Sequence, residues 1–180
     1  DGGGGGGGSN FGVGIAESVS FDHMRARIGQ VEYLGNLLES AGVPIVRPIG
    51  GHGIFLDAAR ILPHIPREEF PAQALTAALY MDSGIRSMER GAVSAGRDPD
   101  TGKNVFPSLE LVRLTIPRRV YTQAHMDVTA ESVFEVASRA REVRGLRFVS
   151  EPKYLRFFQS RFETVPARNA TRQVNPALAC

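Results

Sequence analysis

The feature that most constrains this fold is an apolar run with an arginine at its centre, residues 109–118 (LELVRLTIPR). Strand alternation divides the run into two faces: Leu109, Leu111, Arg113 and Thr115 against Val112, Leu114 and Ile116. Both faces are largely apolar, which predicts a central strand with Arg113 turned inward. An arginine is hardly ever fully buried without a partner. We therefore expect Arg113 to meet Glu89, Asp57 or a substrate carboxylate; a structural ion pair is the alternative.

A second arginine-bearing run, residues 83–91 (SGIRSMERG), precedes the first. It places Arg86, Arg90 and Glu89 among apolar neighbours, where each charge needs an anionic or polar partner. The intervening segment 97–103 (RDPDTGK) is rich in turn residues, which predicts that the two runs lie side by side. We expect this hairpin-like unit to carry the ligand chemistry.

Composition narrows the class of protein. A chain of 180 residues usually forms one domain with a sizeable core. Only two of the 21 basic residues are lysines, Lys103 and Lys153, and an excess of arginine favours specific carboxylate or phosphate contacts. The single cysteine, Cys180, excludes an intrachain disulfide. No apolar run could span a membrane and no signal peptide is recognisable, so the expected location is the cytoplasm.

Both ends of the chain lack a structural pattern. The glycine run 2–8 predicts a disordered lead-in over residues 1–13. A phosphate-binding loop is the alternative there, but no strand precedes the run and no lysine follows it. Residues 165–180 show no period and predict a disordered tail, which leaves 14–164 as the folded part. Residues 96–104 (GRDPDTGKN) have five residues between the glycines instead of four, so we reject a nucleotide site.

Hydrophobic spacing predicts three helices, over residues 15–41, 71–82 and about 124–143. Two short strands are predicted within 43–58, and two more at 146–150 and 154–158. The last strand would place the adjacent Phe157 and Phe158 on opposite faces, one in the core and one against a pocket. His52 follows two glycines, where the backbone can approach a ligand; a turn histidine bonded to backbone is the alternative.

Residues 15–164 closely resemble the C-terminal part of the aromatic amino acid beta-eliminating lyases, the tyrosine phenol-lyase and tryptophanase family. The matching runs are 27–35 (RIGQVEYLG), 50–52 (GGH), 55–57 (FLD), 63–66 (PHIP), 70–74 (FPAQA), 113–118 (RLTIPR), 125–127 (HMD) and 151–153 (EPK). The resemblance implies an α/β chain, the C-terminal small domain of an aminotransferase-like (fold-type I) pyridoxal-phosphate enzyme with part of its connecting helix.

The resemblance also implies roles for individual side chains. Residues 87–90 (SMER) and 155–158 (LRFF) look like the tyrosine phenol-lyase versions, since tryptophanases typically carry an aliphatic residue in place of Arg90 and histidine in place of Phe157. By this resemblance Arg113 binds the substrate α-carboxylate, Arg90 faces the phenol hydroxyl and acts in catalysis, and Phe157 packs beside the ring.

Further residues complete the expected site. Phe158 and His52 are expected among the substrate-binding surroundings, without an assigned chemical step for His52. Arg86 and Glu89 are expected to form supporting ion pairs.

The implied cofactors are pyridoxal 5'-phosphate and a monovalent cation such as K+. In the family, the Schiff-base lysine and the cation ligands lie upstream of the resembling segment, and neither Lys103 nor Lys153 has the context of that lysine. We therefore expect no cofactor-binding or metal-binding residue here, and a fragment that is inactive on its own. The intact family is homotetrameric.

The implied reaction is beta-elimination of tyrosine to phenol, pyruvate and ammonia, with tryptophan cleavage to indole as the alternative. A non-catalytic small-domain protein that binds an aromatic amino acid or a lyase partner through Arg90 and Arg113 is a second alternative. A nucleic-acid module is a third, because Arg139, Arg141, Arg144 and Arg147 cluster near a helix end. A solvated face with favourable helix C-terminal charges explains that cluster more simply, so we expect neither nucleic acid nor membrane as a partner.

Overall fold

The computed structural model describes residues 21–116 and 121–166. The described part alternates helices and strands, which confirms the α/β content. Its elements are α1 (Phe21–Ser40), β1 (Gly53–Asp57), α2 (Ala58–Ile61), α3 (Pro71–Ser83), β2 (Met88–Arg90), α4 (Ala92–Ala95), β3 (Leu111–Thr115), α5 (Gln123–Ser138), β4 (Leu146–Ser150), α6 (Arg156–Gln159) and β5 (Arg161–Thr164), with single 3-10 turns at Arg67–Glu69 and Ala140–Glu142.

The main sheet has the order β1-β3-β2, with both pairings antiparallel. The predicted central strand is therefore confirmed. The predicted hairpin-like unit is confirmed as well, because Met88 pairs with Arg113 and Arg90 pairs with Leu111. The polar segment between them closes on itself through an isolated bridge between Arg97 and Asn104.

The core lies on one face of this sheet, against α1, α3 and α5. In α1, Val31, Leu34 and Leu38 are fully buried, as the three- and four-residue spacing predicts. The helix ends at the predicted glycine: Gly42 has φ +75°, its N–H donates to the Glu39 carbonyl, and the Val43 N–H donates to the Leu38 carbonyl. This paired arrangement is a Schellman motif. No helix of the described ranges is long and apolar enough to cross a membrane.

A smaller sheet pairs β4 with β5 and packs beside a second apolar cluster. In that cluster the ring of Phe70 lies 4.9 Å from the ring of Phe148 and 6.0 Å from the ring of Phe162, both edge-on. The N–H of Val165 continues the pairing by donating to the Gly145 carbonyl.

Two strand predictions are wrong. Residues 154–158 do not form a strand: Leu155 has φ +54°, and its carbonyl accepts the N–H groups of Phe158 and Gln159, so the chain turns into α6. The strand expected near residue 45 is reduced to one bridge, between Ile45 and Leu56. Prolines at 44 and 48 explain this, since neither can donate to a ladder.

Helix boundaries agree in part with the prediction. The helix over 71–82 is confirmed, whereas α5 ends at Ser138 and continues as a 3-10 turn, a common tightening at helix ends. The predicted lead-in 1–13, the predicted helix start at 15–20 and residues 167–180 of the predicted tail 165–180 lie outside the described residues.

Candidate functional site

The main sheet has two unlike faces. On the core face, Ile54, Leu56, Val112, Leu114 and Glu89 are each at most 3% exposed. On the other face, the register places the side chains of directly paired residues next to each other. Five residues define this open face, and all of them are half-buried or exposed: Phe55, Met88, Arg90, Leu111 and Arg113.

Arg113 lies in the middle of the open face, between Phe55 and Met88. Its guanidinium donates to the Met88 sulfur at 3.2 Å, which is a weak acceptor. Its Nε is buried and has no hydrogen-bond partner in the described part of the chain. An unsatisfied buried donor is costly, so this guanidinium is suited to take up an acceptor from a ligand.

The internal acids that were expected to meet Arg113 are engaged elsewhere. Asp57 caps α2, where its Oδ1 accepts the Arg60 N–H at 3.2 Å. Glu89 projects from the opposite face of the sheet, because Arg113 and Val112 alternate and Glu89 pairs with Val112. Within the described ranges, Arg113 has no ion pair with either acid, and the structural ion pair predicted as the alternative is not formed.

Arg90 is exposed at the end of β2. It pairs with Leu111, two residues from Arg113 along the same face. Such diagonal neighbours are roughly 7–8 Å apart. Two long guanidinium side chains at this spacing can contact opposite ends of one small ligand. Among the described residues the side chain of Arg90 has no hydrogen-bond or ion-pair partner.

The two phenylalanines lie in α6, which contacts the short helix α4 that follows Arg90. Phe157 is half-buried and packs against the cluster of Phe70, Ala92 and Val93, so it lies against the helix that begins two residues after Arg90. Phe158 is 75% exposed. The two rings meet edge-on at 4.9 Å. The structure therefore brings Phe157 to the segment that follows Arg90 and leaves Phe158 at the surface.

His52 is not brought to Arg90. Its carbonyl accepts the Ile116 N–H at 3.4 Å, beyond one end of the β1–β3 pairing, whereas Arg90 pairs near the opposite end, with Leu111. At about 3.3 Å per residue the two ends are roughly 16 Å apart. The His52 residue is exposed.

Two buried carboxylates hold the turn that follows Arg90. Glu89 and Glu110 are each 1% exposed. The Glu89 carboxylate accepts the N–H groups of Val93 at 3.2 Å and Ser94 at 2.9 Å, and the Ser94 hydroxyl at 2.5 Å. Glu110 Oε1 accepts the Ala92 N–H at 3.1 Å. Three successive N–H groups at the start of α4 are thus bound by two side chains.

The supporting ion pairs expected of Arg86 and Glu89 are not formed among the described residues. Backbone N–H groups satisfy Glu89, and Arg86 is exposed at a separate cleft of about 480 Å³ that Tyr121 and His125 also line.

Glu110 was not identified from the sequence, although strand alternation could have indicated that it is buried. It alternates with Val112 and Leu114, so it falls on the buried face of β3.

Burial and, next, the neighbouring Glu89 charge together raise the pKa of Glu110 to about 6, against the opposing effects of the Ala92 N–H, the Arg67 charge and the Ala72 N–H. Because this pKa is above its ordinary value of 4.5, the folded protein binds more protons than the unfolded chain between these two pH values. The contribution of Glu110 to the free energy of unfolding therefore falls as the pH rises from about 4.5 to above 6, by about 2 kcal/mol.

We expect Glu110→Gln to remove this fall, because glutamine does not titrate. Urea unfolding of the chain at pH 4.5 and pH 7.5 measures it, with the exposed Glu131→Gln as the matched control. The control is expected to keep the wild-type difference between the two pH values. An equal difference in Glu110→Gln and wild type would contradict the assignment.

Position 91 requires glycine because the carboxylates of Glu89 and Glu110 occupy the space that a side chain would need. A Cβ at this position would lie 2.1 Å from Glu110 Oε2 and 2.8 Å from Glu89 Oε1. We expect Gly91→Ala to lower the free energy of unfolding by about 1–3 kcal/mol, the usual range for overpacking. Urea unfolding checks this. The control is Gly29→Ala in α1, where nothing lies within 4 Å and alanine is expected to stabilise by about 0.5–1 kcal/mol. Unchanged unfolding of Gly91→Ala would show that the carboxylates do not crowd this position.

A second charged group, also missed from sequence, ties the 97–104 turn to α6. Arg97 donates to both oxygens of Glu151, at 2.8 and 2.6 Å, and the hydrogen bond from Arg97 lowers the pKa of Glu151. Arg156 lies 3.1 Å from Glu151, donates to Asn104 at 2.7 Å, and lies over the Phe148 ring at 4.6 Å. Burial lowers the pKa of Arg156. This group fixes α6 and therefore Phe157.

Neither lysine lies in an enclosed site. Lys103 and Lys153 are exposed, and the Lys153 ammonium lies 5.4 Å from the centre of the Tyr154 ring. In the ranges that the structure describes, no three His, Cys, Asp or Glu side chains lie together so that they could hold a metal ion.

Comparisons with known proteins show which family the chain resembles and which relatives it is similar to. The family model described as beta-eliminating lyase matches residues 6–132. The chain is 67% identical over 150 residues to a protein of Nostoc punctiforme named tyrosine phenol-lyase, which covers 83% of this chain and 32% of the relative. Proteins of the same name from Intrasporangium calvum and Symbiobacterium thermophilum are 58% identical over 164 residues (91% and 34%) and 62% identical over 152 residues (84% and 33%). The chain spans about a third of the length of these curated relatives.

Proposed function

The chain belongs to the beta-eliminating lyase family, and we propose that it is the C-terminal part of a pyridoxal-phosphate-dependent carbon–carbon lyase that cleaves tyrosine to phenol, pyruvate and ammonia. One observation carries the proposal. Arg90 and Arg113 project from the same open face of the sheet, and neither has an acidic partner among the described residues. Relatives at 58–67% identity are named tyrosine phenol-lyase.

We assign α1 to the connecting helix of a fold-type I enzyme, and residues from β1 onward to its small C-terminal domain. The exposure pattern of α1 supports this. Its second half buries Leu34 and Leu38 completely, whereas Met24 and Ile28 in its first half are 46% and 38% exposed. Apolar side chains exposed at helical spacing are suited to contact the rest of a larger protein.

Each arginine has a separate task in this proposal. Arg113 binds the α-carboxylate, because a guanidinium fork matches a carboxylate with two parallel hydrogen bonds. Arg90 donates a hydrogen bond to the phenol oxygen, stabilises the charge that develops there as the ring leaves, and helps to direct a proton to the ring. Phe157 supplies an apolar wall beside the ring.

Neither lysine of this chain is suited to form the Schiff base that anchors pyridoxal phosphate. Both lysines are exposed, outside the helices and strands, whereas a lysine that bonds to the cofactor needs a desolvated pocket or a neighbouring cation to activate it. We therefore assign the anchoring lysine and the K+ ligands to a part of the lyase outside this chain, and expect the chain alone to be inactive. The complete lyase is proposed to be a cytoplasmic homotetramer.

The proposed function is tested with a fused lyase, in which this chain replaces the matching third of the Nostoc punctiforme relative. We expect the fused lyase to release phenol and pyruvate from tyrosine in equal amounts, and this chain alone to release neither. Indole release from tryptophan is measured in parallel. A folded, cofactor-loaded fusion that releases indole but no phenol would overturn the assignment of tyrosine.

A further inference from the structure

The strongest unassigned feature is the buried pair of Glu89 and Glu110. The two carboxylates approach the same point beside Gly91, the residue that follows Arg90, and they bind the first three N–H groups of α4. Glu110 Oε2 is buried without a hydrogen-bond partner in the described part of the chain. One carboxylic acid proton on this oxygen would satisfy it.

In the part of the chain that the structure describes, backbone N–H groups and the Ser94 hydroxyl, and no cation, bind this pair of carboxylates. Two arginines face it: Arg67, whose guanidinium donates to the Pro107 carbonyl, and Arg156, whose guanidinium is engaged by Asn104 and Glu151. From α3, the Ala72 N–H faces Glu110. Two ionised carboxylates at close range in the interior repel each other, so that one of them retains a proton.

We propose that Glu89 and Glu110 share one proton and together position Arg90 for the departing phenol. They act as positioning residues, since they contact the backbone after Arg90 and the start of α4, not the reacting atoms. The same pair places α4, against which Phe157 packs. The backbone that follows Arg90 and the helix against which Phe157 packs are therefore both held from one buried point. The positioning of Arg90 for the phenol rests on the proposed function. The shared proton does not depend on it.

Loss of the proton has a defined consequence. With both groups ionised, repulsion separates the carboxylates and weakens their hold on the N–H groups of Ala92, Val93 and Ser94. A glutamine at 110 reproduces the protonated state at all pH values, because its carbonyl accepts the Ala92 N–H and its amide donates to Glu89. Alanine at 110 removes both contacts.

The shared proton is tested on the chain itself by amide hydrogen exchange. We expect the protection factors of Ala92, Val93 and Ser94, taken relative to Leu79 in α3, to fall about tenfold between pH 5 and pH 7.5. In Glu110→Gln they are expected to stay constant. Protection that falls equally in wild type and Glu110→Gln would overturn the shared proton.

The positioning role is tested in the fused lyase with tyrosine and S-methylcysteine, whose leaving group has no phenol hydroxyl. We expect Glu110→Ala to lower kcat on tyrosine at least tenfold and on S-methylcysteine less than twofold, and Glu110→Gln to keep tyrosine cleavage within threefold of wild type. Equal losses on both substrates would overturn the role. A folded wild-type fusion that cleaves neither substrate would contradict both the proposed function and the positioning role. The amide hydrogen exchange of the chain itself would still test whether Glu89 and Glu110 share a proton.

Discussion

Replacing Arg113 with alanine is expected to lower kcat/KM of the fused lyase about 100- to 1,000-fold on tyrosine and S-methylcysteine alike. Both substrates carry the α-carboxylate that Arg113 is proposed to bind, and truncating one partner of a buried charge pair typically costs 2–5 kcal/mol, with a factor of ten for each 1.4 kcal/mol. Initial rates of pyruvate release measure the effect.

Arg113→Lys serves as the matched variant. Lysine keeps the positive charge but loses the planar fork, so we expect an intermediate loss that is again equal on the two substrates. Urea unfolding of both variants verifies that they fold. A loss confined to tyrosine would contradict the assignment of Arg113 to the carboxylate.

Replacing Arg90 with isoleucine is expected to lower kcat/KM on tyrosine about 10- to 100-fold and to leave S-methylcysteine cleavage within threefold of wild type. A hydrogen bond to a charged group contributes about 1.5–3 kcal/mol, and only tyrosine offers the phenol oxygen. The same pyruvate assay gives both values.

The control for Arg90 is Arg86→Ile, which removes an exposed arginine four residues upstream. Arg86 lies at a separate cleft with Tyr121 and His125, so its replacement is expected to change neither substrate by more than twofold. If Arg90→Ile reduces both substrates equally, Arg90 does not act on the phenol hydroxyl.

The sheet at the centre of the site could be predicted from the sequence. Apolar residues on both faces of 109–115 required a central strand, and the turn residues of 97–103 required the preceding run to return beside it. The structure confirms both, with Arg113 between Phe55 and Met88. The separate tasks of Arg90 and Arg113 came only from the resemblance, because alternation cannot say which anion an arginine meets.

The partner of Glu89 could not be predicted from the sequence. A glutamate among arginines suggested an ion pair, but backbone N–H groups of the four-residue helix α4 satisfy it instead. Such a short helix has no hydrophobic period to detect. Glu110 was missed for a related reason: a buried glutamate was expected to need a cation, whereas this one lies beside another carboxylate and has a raised pKa.

The region around Phe157 was predicted incorrectly because a short aromatic run fits a strand as well as a helical turn. The left-handed conformation of Leu155 decides the outcome, and no glycine marks that position. As a result, Phe157 packs toward α4 and Phe158 remains 75% exposed. The proposed ring wall therefore rests on Phe157 alone.

The central claim is that the open face of the main sheet forms the substrate-binding part of a tyrosine lyase. A crystal structure of the fused lyase with α-methyl-L-tyrosine, which lacks the α-hydrogen needed for elimination, tests it most directly. We predict that both Arg113 guanidinium branches lie within about 3 Å of the ligand carboxylate and that Arg90 hydrogen-bonds the phenol oxygen. A ligand bound away from this face, with both guanidiniums in contact with solvent, would contradict the account.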